Sequence, residues 1–207
     1  MKKLFVSIAL VLIGIISANA QIVWGIRAGL SIPTVSTSTT YTGDWGGETY
    51  DESLKGKIGI ELGPVMYYAF NEKLYINPAL MFSIKTFDLS LSGDSKVSMY
   101  YAELPVYLGY RIPIGTVTTY LQAGPYAGFK IGESLPSDWG DAETGLKSFD
   151  AGLAIMYGVN IKRFKIEAGY KLGLTNISDL SGYMGEGMGY TSKSRMSSIF
   201  LGINYVF

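Results

Sequence analysis

The sequence predicts an all-β fold, an eight-stranded antiparallel up-and-down transmembrane β-barrel that follows a cleaved signal peptide. Eight segments alternate apolar with small or polar residues, their connections alternate short with long, and the amino terminus carries an export signal. The clearest segment is Arg195–Phe207, in which apolar side chains share one face and Ser198, Gly202 and Asn204 lie on the other. A period of two is typical of a strand.

The amino terminus has the three parts of a secretory signal. Lys2 and Lys3 form a basic region, Leu4–Ile16 forms an apolar core, and Ala18-Asn19-Ala20 is a small-x-small cleavage site. The core is too short to span a bilayer comfortably, which disfavours an uncleaved anchor. We therefore predict cleavage between Ala20 and Gln21, with residues 1–20 as signal peptide and residues 21–207 as a barrel domain.

The eight predicted strands are joined by connections of two kinds. The strands are Val23–Thr34, Lys57–Phe70, Leu74–Leu89, Ser98–Ile112, Val117–Gly132, Ser148–Ile161, Phe164–Asn176 and Arg195–Phe207. Tight turns are predicted at 71–73, 113–116 and 162–163, and long polar loops at 35–56, 90–97, 133–147 and 177–194. Outer-membrane barrels have short periplasmic turns and longer loops outside the cell.

The two faces of the predicted strands differ chemically. In Phe164–Thr175 one face is apolar and aromatic, whereas the other carries Lys165, Glu167 and Lys171 among glycines. A soluble lipocalin-like carrier would place its apolar face inside, so this alternative is disfavoured. After Ile16 no run approaches the roughly 20 apolar residues of a membrane helix. The apolar face is therefore expected to contact outer-membrane lipid, which makes the cell outer membrane the predicted location.

The alternation also predicts a charged barrel interior of six bases and four acids. These residues are Arg27, Glu61, Lys85, Glu103, Arg111, Lys130, Asp150, Lys165, Glu167 and Lys171. An eight-stranded barrel leaves room only for side chains, and buried charges must be paired or hydrogen-bonded. A mixed-sign set therefore favours a cross-linked plug over a channel, for which rings of one sign are expected. Tyr101, Tyr107 and Tyr126 add hydroxyl groups to the same interior.

Composition argues against several function classes. The chain has no histidine and no cysteine, and its 17 basic and 17 acidic residues balance. Serine–histidine hydrolysis and histidine zinc sites are thereby excluded, and no basic excess supports nucleic-acid binding. We predict no catalytic site, cofactor or metal site, although an enzyme that uses serine with acids alone stays open as a weaker alternative. Two acidic Trp-containing loops, 44–47 and 138–141, match no established calcium cage, and 185–189 is not a dinucleotide motif.

Aromatic residues lie near the predicted strand ends, where barrels carry two interfacial girdles. The candidates are Trp24, Tyr68, Phe70, Tyr110, Phe149, Phe164, Tyr205 and Phe207. Tyr205 and Phe207 also resemble the carboxy-terminal signal that the outer-membrane insertion machinery reads. That machinery is therefore a predicted partner, and the long loops are the predicted surface for protein partners.

Several stretches resemble the PorT-like outer-membrane β-barrel family of Gram-negative bacteria, a group of porin-family barrels. They are Gly25-Ile26-Arg27-Ala28-Gly29-Leu30, the segment from Tyr101-Ala102-Glu103-Leu104-Pro105 to Tyr110, Gly124-Pro125-Tyr126-Ala127-Gly128, and Gly169 to Ile177. The resemblance implies an outer-membrane barrel over residues 21–207. The expected role is structural, interactive or that of a narrow pore, and the resemblance adds an accessory role in protein secretion or envelope assembly as the alternative.

Overall fold

A computed structural model describes residues 22–43, 46–88, 96–135, 146–183 and 189–207, and it contains eleven strands in these ranges. The strands are β1 (Ile22–Gly43), β2 (Gly46–Lys55), β3 (Lys57–Ala69), β4 (Leu74–Pro78), β5 (Met81–Asp88), β6 (Lys96–Ile114), β7 (Val117–Ser134), β8 (Phe149–Ile161), β9 (Phe164–Gly173), β10 (Ser178–Tyr183) and β11 (Gly189–Val206). Within the described ranges no helix is long and apolar enough to span a membrane. The predicted signal peptide, with Ala20 and Gln21, lies outside them.

The strands close into a ring of eight antiparallel positions. Around the ring the strands follow in the order β1, β3, β4/β5, β6, β7, β8, β9 and β11. The consecutive strands β4 and β5 share one position. The last strand returns to the first in a continuous register from Gly25 opposite Val206 to Thr42 opposite Gly189. The predicted all-β, eight-stranded antiparallel barrel is confirmed, and in the described part of the chain each of the eight positions pairs with a neighbour on both sides.

One predicted strand is broken. The sequence predicts continuous structure over Leu74–Leu89, but β4 ends at Pro78 and β5 begins at Met81. Pro78 has no N–H to donate to a ladder. Ala79 N instead donates to Pro105 O at 3.0 Å, and Leu80 N donates to Pro64 O at 3.1 Å. The regular strand pairing is therefore interrupted at residues 79 and 80, but these residues stay hydrogen-bonded within the wall of the barrel.

Two predicted loops are largely strand. β1 continues through Thr42 and pairs with β2, and β10 pairs with the first part of β11. Together β2, β1, β11 and β10 form a four-stranded sheet, here called the projecting sheet, on the long-loop side of the barrel. Its β-branched and serine residues bond across strands, as between Thr37 Oγ1 and Ser194 Oγ at 2.8 Å. Such Thr and Ser pairs stabilise a sheet. Segments rich in Ser and Thr are also typical of loops, which is why the sequence predicted loops here.

The other long connections are described only in part. Residues 89–95 and 136–145 lie outside the described ranges, as do Asp44 and Trp45 of the first acidic loop and the 138–141 motif. The three tight turns are described, and two of them contain a residue with positive φ: Gly115 at 59° and Lys162 at 56°. Glycine suits this conformation because it has no Cβ.

An apolar band surrounds the outer wall. On β1 the outward residues from Ile22 to Ile32 are apolar, and Thr34, Ser36 and Ser38 continue the same face. Ten residue steps of about 3.3 Å, tilted by about 40°, give a band about 25 Å high, which matches the apolar belt of outer-membrane barrels. The boundary on the loop side therefore lies just beyond Ile32 and its neighbour Ile199 on β11.

Aromatic side chains cluster at the turn end of the band. The rings of Phe164 and Tyr205 lie 5.2 Å apart, and those of Tyr205 and Phe207 lie 5.7 Å apart. Tyr68 and Phe70 form a second pair at 5.1 Å. Amphipathic aromatic rings favour the membrane–water interface, so this cluster has the position and composition of an interfacial girdle.

Candidate functional site: the charged barrel interior

Alternating side chains from every wall position project into the barrel, and eight buried residues among them carry charge. They comprise four bases and four acids: Arg27, Lys85, Lys165, Lys171, Glu61, Glu103, Asp150 and Glu167. A period of two places each of them opposite an outward apolar neighbour, because successive Cβ atoms point to opposite faces of a strand. The interior thus holds the buried charges, together with tyrosine, methionine and phenylalanine side chains, whereas the exterior is apolar.

Lys171 of β9 connects three sides of the ring. Its Nζ donates to Glu61 Oε2 of β3 at 2.6 Å and to Glu103 Oε2 of β6 at 2.8 Å. All three side chains are at most 3 % exposed. Glu61 and Lys171 are not on neighbouring strands, since β1 and β11 stand between them. The ion pairs therefore extend across the lumen.

Lys85 of β5 extends this cluster toward the long loops. Its Nζ lies 2.9 Å from Glu103 Oε1 and 3.8 Å from Asp150 Oδ2 of β8. Ser83 Oγ also donates to Glu103 Oε1 at 2.9 Å. Asp150 accepts further hydrogen bonds from Thr175 Oγ1 at 3.2 Å and from the Tyr126 hydroxyl at 3.4 Å. Glu103 thus holds two lysines at once and is the centre of the cluster.

A second cluster occupies the half of the lumen nearer the tight turns. Arg27 Nε lies 2.8 Å from Glu167 Oε1, but its N–H is directed at Asn204 Oδ1, also at 2.8 Å. The contact with Glu167 is therefore an ion pair and not a hydrogen bond. Glu167 Oε2 accepts from the Tyr120 hydroxyl at 2.8 Å and from Gln122 Nε2 at 3.0 Å. Charge-assisted hydrogen bonds of this kind are the strong ones.

Lys165 has tyrosine rings as its close neighbours. Its Nζ lies 3.5 Å from the ring centroid of Tyr67, 4.9 Å from that of Tyr75 and 5.0 Å from that of Tyr120. A cation over an aromatic face is attracted to the negative charge of the π system. The structure therefore places this predicted residue inside the barrel, in an aromatic cage beside the Arg27 cluster.

The two remaining predicted residues lie at opposite ends of the lumen and in neither cluster. Arg111 is at the turn end, where Nη1 donates to Glu72 O at 3.1 Å and the guanidinium stacks on Tyr75 at 5.0 Å. Lys130 is at the loop end, where Nζ donates to Glu133 Oε2 at 2.8 Å. The expectation of one network of ten charges is therefore corrected: in the part of the chain that is described, both residues are only partly buried and form no ion pair with the eight buried charges, because their strand positions fall at the mouths of the barrel.

Uncharged residues that the sequence analysis did not select complete the second cluster. Asn77 Oδ1 accepts from Arg27 Nη2 at 2.8 Å, and Gln122 connects the Tyr75 hydroxyl to Glu167. Both residues lie at inward positions of the same alternation, so the alternation of inward and outward residues along the strand could have identified them. The selection was limited to ionisable side chains and for that reason missed them.

The interior is a filled core in which ion pairs lie among buried tyrosine, methionine and phenylalanine side chains. Among the described residues no group of three or more Asp or Glu side chains is arranged to hold a metal ion. Each central carboxylate faces a lysine or arginine instead. The arrangement neutralises charge and ties strands together across the lumen.

A closed ring with an ionic interior and a continuous apolar exterior defines an integral β-barrel membrane protein. The family described as outer membrane protein beta-barrel domain matches residues 17–179, and the chain belongs to that family. The protein is accordingly located in the outer membrane, with its apolar band in contact with lipid.

Solved outer-membrane barrels are similar to the chain at low sequence identity. OprG from Pseudomonas aeruginosa is 16% identical, with 89% of this chain and 95% of that chain covered and a TM-score of 0.49. Neisserial surface protein A is 15% identical, with 92% and 100% covered and a TM-score of 0.46. Ail of Yersinia pestis, solved in complex with a heparin analogue, is 18% identical, with 88% and 99% covered and a TM-score of 0.37. The comparison with curated proteins gave no match.

Proposed function

We propose that this protein is a non-catalytic outer-membrane barrel whose lumen is sealed and whose role is structural and interactive. The observation that carries the proposal is the connection of Glu61, Lys171, Glu103 and Lys85 across the lumen, with side chains at most 3 % exposed. A narrow barrel is filled by its side chains, and these are held by ion pairs of 2.6–2.9 Å. Such a core leaves little space for a continuous column of water.

Conductance separates a sealed barrel from a narrow pore. The full chain is inserted into planar bilayers, and single-channel currents are recorded in 1 M salt beside a general porin as positive control. We expect no steady conductance step approaching that of the porin. Large, steady steps from the wild-type protein would overturn the proposal and assign a transport role.

An accessory role in protein secretion or envelope assembly is the second candidate, and the projecting sheet favours it. β2 and β10 each pair with one strand only in the described part of the chain, so both present backbone groups at an edge. Extended segments of a partner bind such edges by strand addition. A photo-crosslinking residue at Thr49 of β2 should then capture a discrete envelope protein in living cells, whereas one at Lys73 in a tight turn should not. Equal labelling from both positions would contradict this candidate.

We further propose that export removes residues 1–20. Mass spectrometry of protein extracted from outer membranes should give a chain that begins at Gln21. A chain that retains Met1, or one that begins elsewhere, would contradict the assignment of Ala20 as the cleavage site.

A further inference from the structure

A polar pocket of about 510 Å³ lies on the projecting sheet, and it belongs to neither cluster in the lumen. Its lining includes Ser36 and Ser38 of β1, Asp51 and Ser53 of β2, and Lys193 and Arg195 of β11. These six are on one face, because Ser36 is in register with Ser53 and Arg195, and Ser38 is in register with Asp51 and Lys193. Thr37 of β1 and Glu52 of β2, at the alternate positions of the same strands, also line the pocket, so it contains two carboxylates and two cations. That face continues the outward, lipid-contacting face of β1.

The height of the pocket follows from the same register. Ile32 opposite Ile199 is the last outward apolar row, Thr34 forms the next row with Ser197 and Lys55, and Ser36 with Arg195 forms the row after that. Each row of two residues adds about 5 Å of height at a strand tilt of about 40°. The backbone of Arg195 therefore lies about 10 Å beyond the edge of the hydrocarbon layer.

The two cations of the pocket are available to an anion. No ion pair joins Lys193 or Arg195 to a carboxylate within the described ranges. Asn176 Oδ1 accepts from Arg195 Nε at 3.1 Å, which fixes the guanidinium and leaves its terminal amino groups for a ligand. Asp179, the cross-strand neighbour of Lys193, accepts from Lys147 Nζ at 2.9 Å, and it attracts Lys193 without forming an ion pair with it.

We propose that this pocket binds the phosphate of an anionic lipid headgroup in the outer leaflet, with Arg195 and Lys193 as its cations. A guanidinium presents a planar fork of donors that matches phosphate geometry, and an ammonium adds a point charge. The hydroxyl groups of Ser36 and Ser53 stand on the same face and supply neutral donors. Position favours a lipid over a free anion, because the Arg195 row is only two residue rows above the last apolar row of the outer wall.

Asp51 places a negative charge on the β2 side of the pocket, and its effect on phosphate binding can be tested. It lies across β1 from Lys193, with Ser38 between them, so it is about 10 Å from the lysine at ordinary strand spacing. The carboxylate repels a phosphate that moves toward β2 and directs it to the β11 side. Asp51→Asn should therefore increase phosphate binding.

The test measures binding of diphosphorylated lipid A to the full chain folded in dodecyl maltoside micelles, by native mass spectrometry. Lys193→Gln combined with Arg195→Gln should weaken the apparent affinity about 30-fold, since each cation near an anionic surface contributes about fivefold. The matched control, Lys73→Gln with Lys162→Gln, removes the same charge at the tight turns and should change affinity less than twofold. A gel-mobility shift on boiling verifies that each variant is folded.

The remaining arms distinguish the sources of the anion. Dephosphorylated lipid A should bind like the site variant, and 10 mM inorganic phosphate should displace lipid A only weakly. Equal binding of dephosphorylated lipid, or an equal loss in the control variant, would refute the site. Inorganic phosphate bound as tightly as lipid A would overturn the lipid assignment. A loss of binding in Asp51→Asn would show that the phosphate is held through a bridging cation and not by direct contact with Arg195 and Lys193.

Discussion

Glu103→Ala is the substitution to which the interior should be most sensitive. It removes one hydrogen bond from Lys171 at 2.8 Å and the 2.9 Å ion pair with Lys85, at a position with no exposure to solvent. Lys171 keeps its 2.6 Å contact with Glu61, but the remaining carboxylate near Lys85 is Asp150 at 3.8 Å, with the Tyr101 ring centroid 4.6 Å from its Nζ. One buried cation is thus left nearly uncompensated, and breaking a buried pair in this way costs about 3–5 kcal/mol.

Urea unfolding of the protein in detergent micelles measures that cost. Tryptophan fluorescence reports the transition, and the gel-mobility shift on boiling reports the folded fraction. Glu72→Ala is the matched control, because it removes the same charge from an exposed turn and should change stability by less than about 0.5 kcal/mol. We expect Glu103→Ala to lower the free energy of unfolding by several times that amount and to give a small leak current in bilayers.

A double-mutant cycle tests whether the cost comes from Lys85. If the lysine is what Glu103→Ala leaves unpaired, adding Lys85→Ala should recover part of the loss, with a coupling energy of about 1–3 kcal/mol. Additive losses would show that the two side chains act independently. A Glu103→Ala barrel within 1 kcal/mol of wild type would refute the reasoning, because the charge would then have been hydrated in the lumen.

Three further predictions concern packing, assembly and the projecting sheet. Gly109→Ala should destabilise the barrel by about 1–3 kcal/mol in the same urea assay, because an added Cβ would collide with the ring of Tyr75; an unchanged midpoint would contradict this. Deletion of Phe207 should lower the amount of assembled barrel in outer-membrane fractions, and wild-type levels would remove its assignment as an assembly signal. The hydrogen bond from Lys147 lowers the pKa of Asp179, so its stabilisation is present above the unfolded pKa and is lost as pH falls through the folded pKa; an NMR titration should show the pKa rise in Lys147→Gln.

The alternation of inward and outward residues along each strand made most of the barrel predictable. In β11, Ile199, Leu201 and Ile203 are exposed to the lipid side whereas Ser198 and Asn204 are buried, as the alternation indicates. A register slip of one residue would exchange these faces, so the pattern specifies which side chains enter the lumen. It does not specify where a strand stops, because Ser and Thr residues beyond Ile32 read equally well as a loop or as a polar strand.

The partners of the interior charges were less predictable than their burial. Parity places Lys165 and Lys171 on the same face of β9, yet one contacts three tyrosine rings and the other two carboxylates. Such contacts depend on strands that are far apart in sequence, as with Glu61 and Lys171, and on the stagger of the closed ring. Arg111 shows the same limit. The alternation along β6 places it on the inward face, but its position near the end of the strand places it at the mouth of the barrel.

Charge balance and shape complementarity act together in this lumen. The eight buried charges comprise four bases and four acids, so the interior is neutral even though Lys165 has aromatic rings instead of a carboxylate at closest approach. Large rings fit because glycines lie opposite them: a Cβ at Gly158 would strike Tyr120, and one at Gly29 would strike Phe200. A single change of charge leaves the core ionic and unbalanced, and a single gain of volume displaces a ring that positions an ion pair. The interior should therefore tolerate compensated pairs of substitutions far better than single ones.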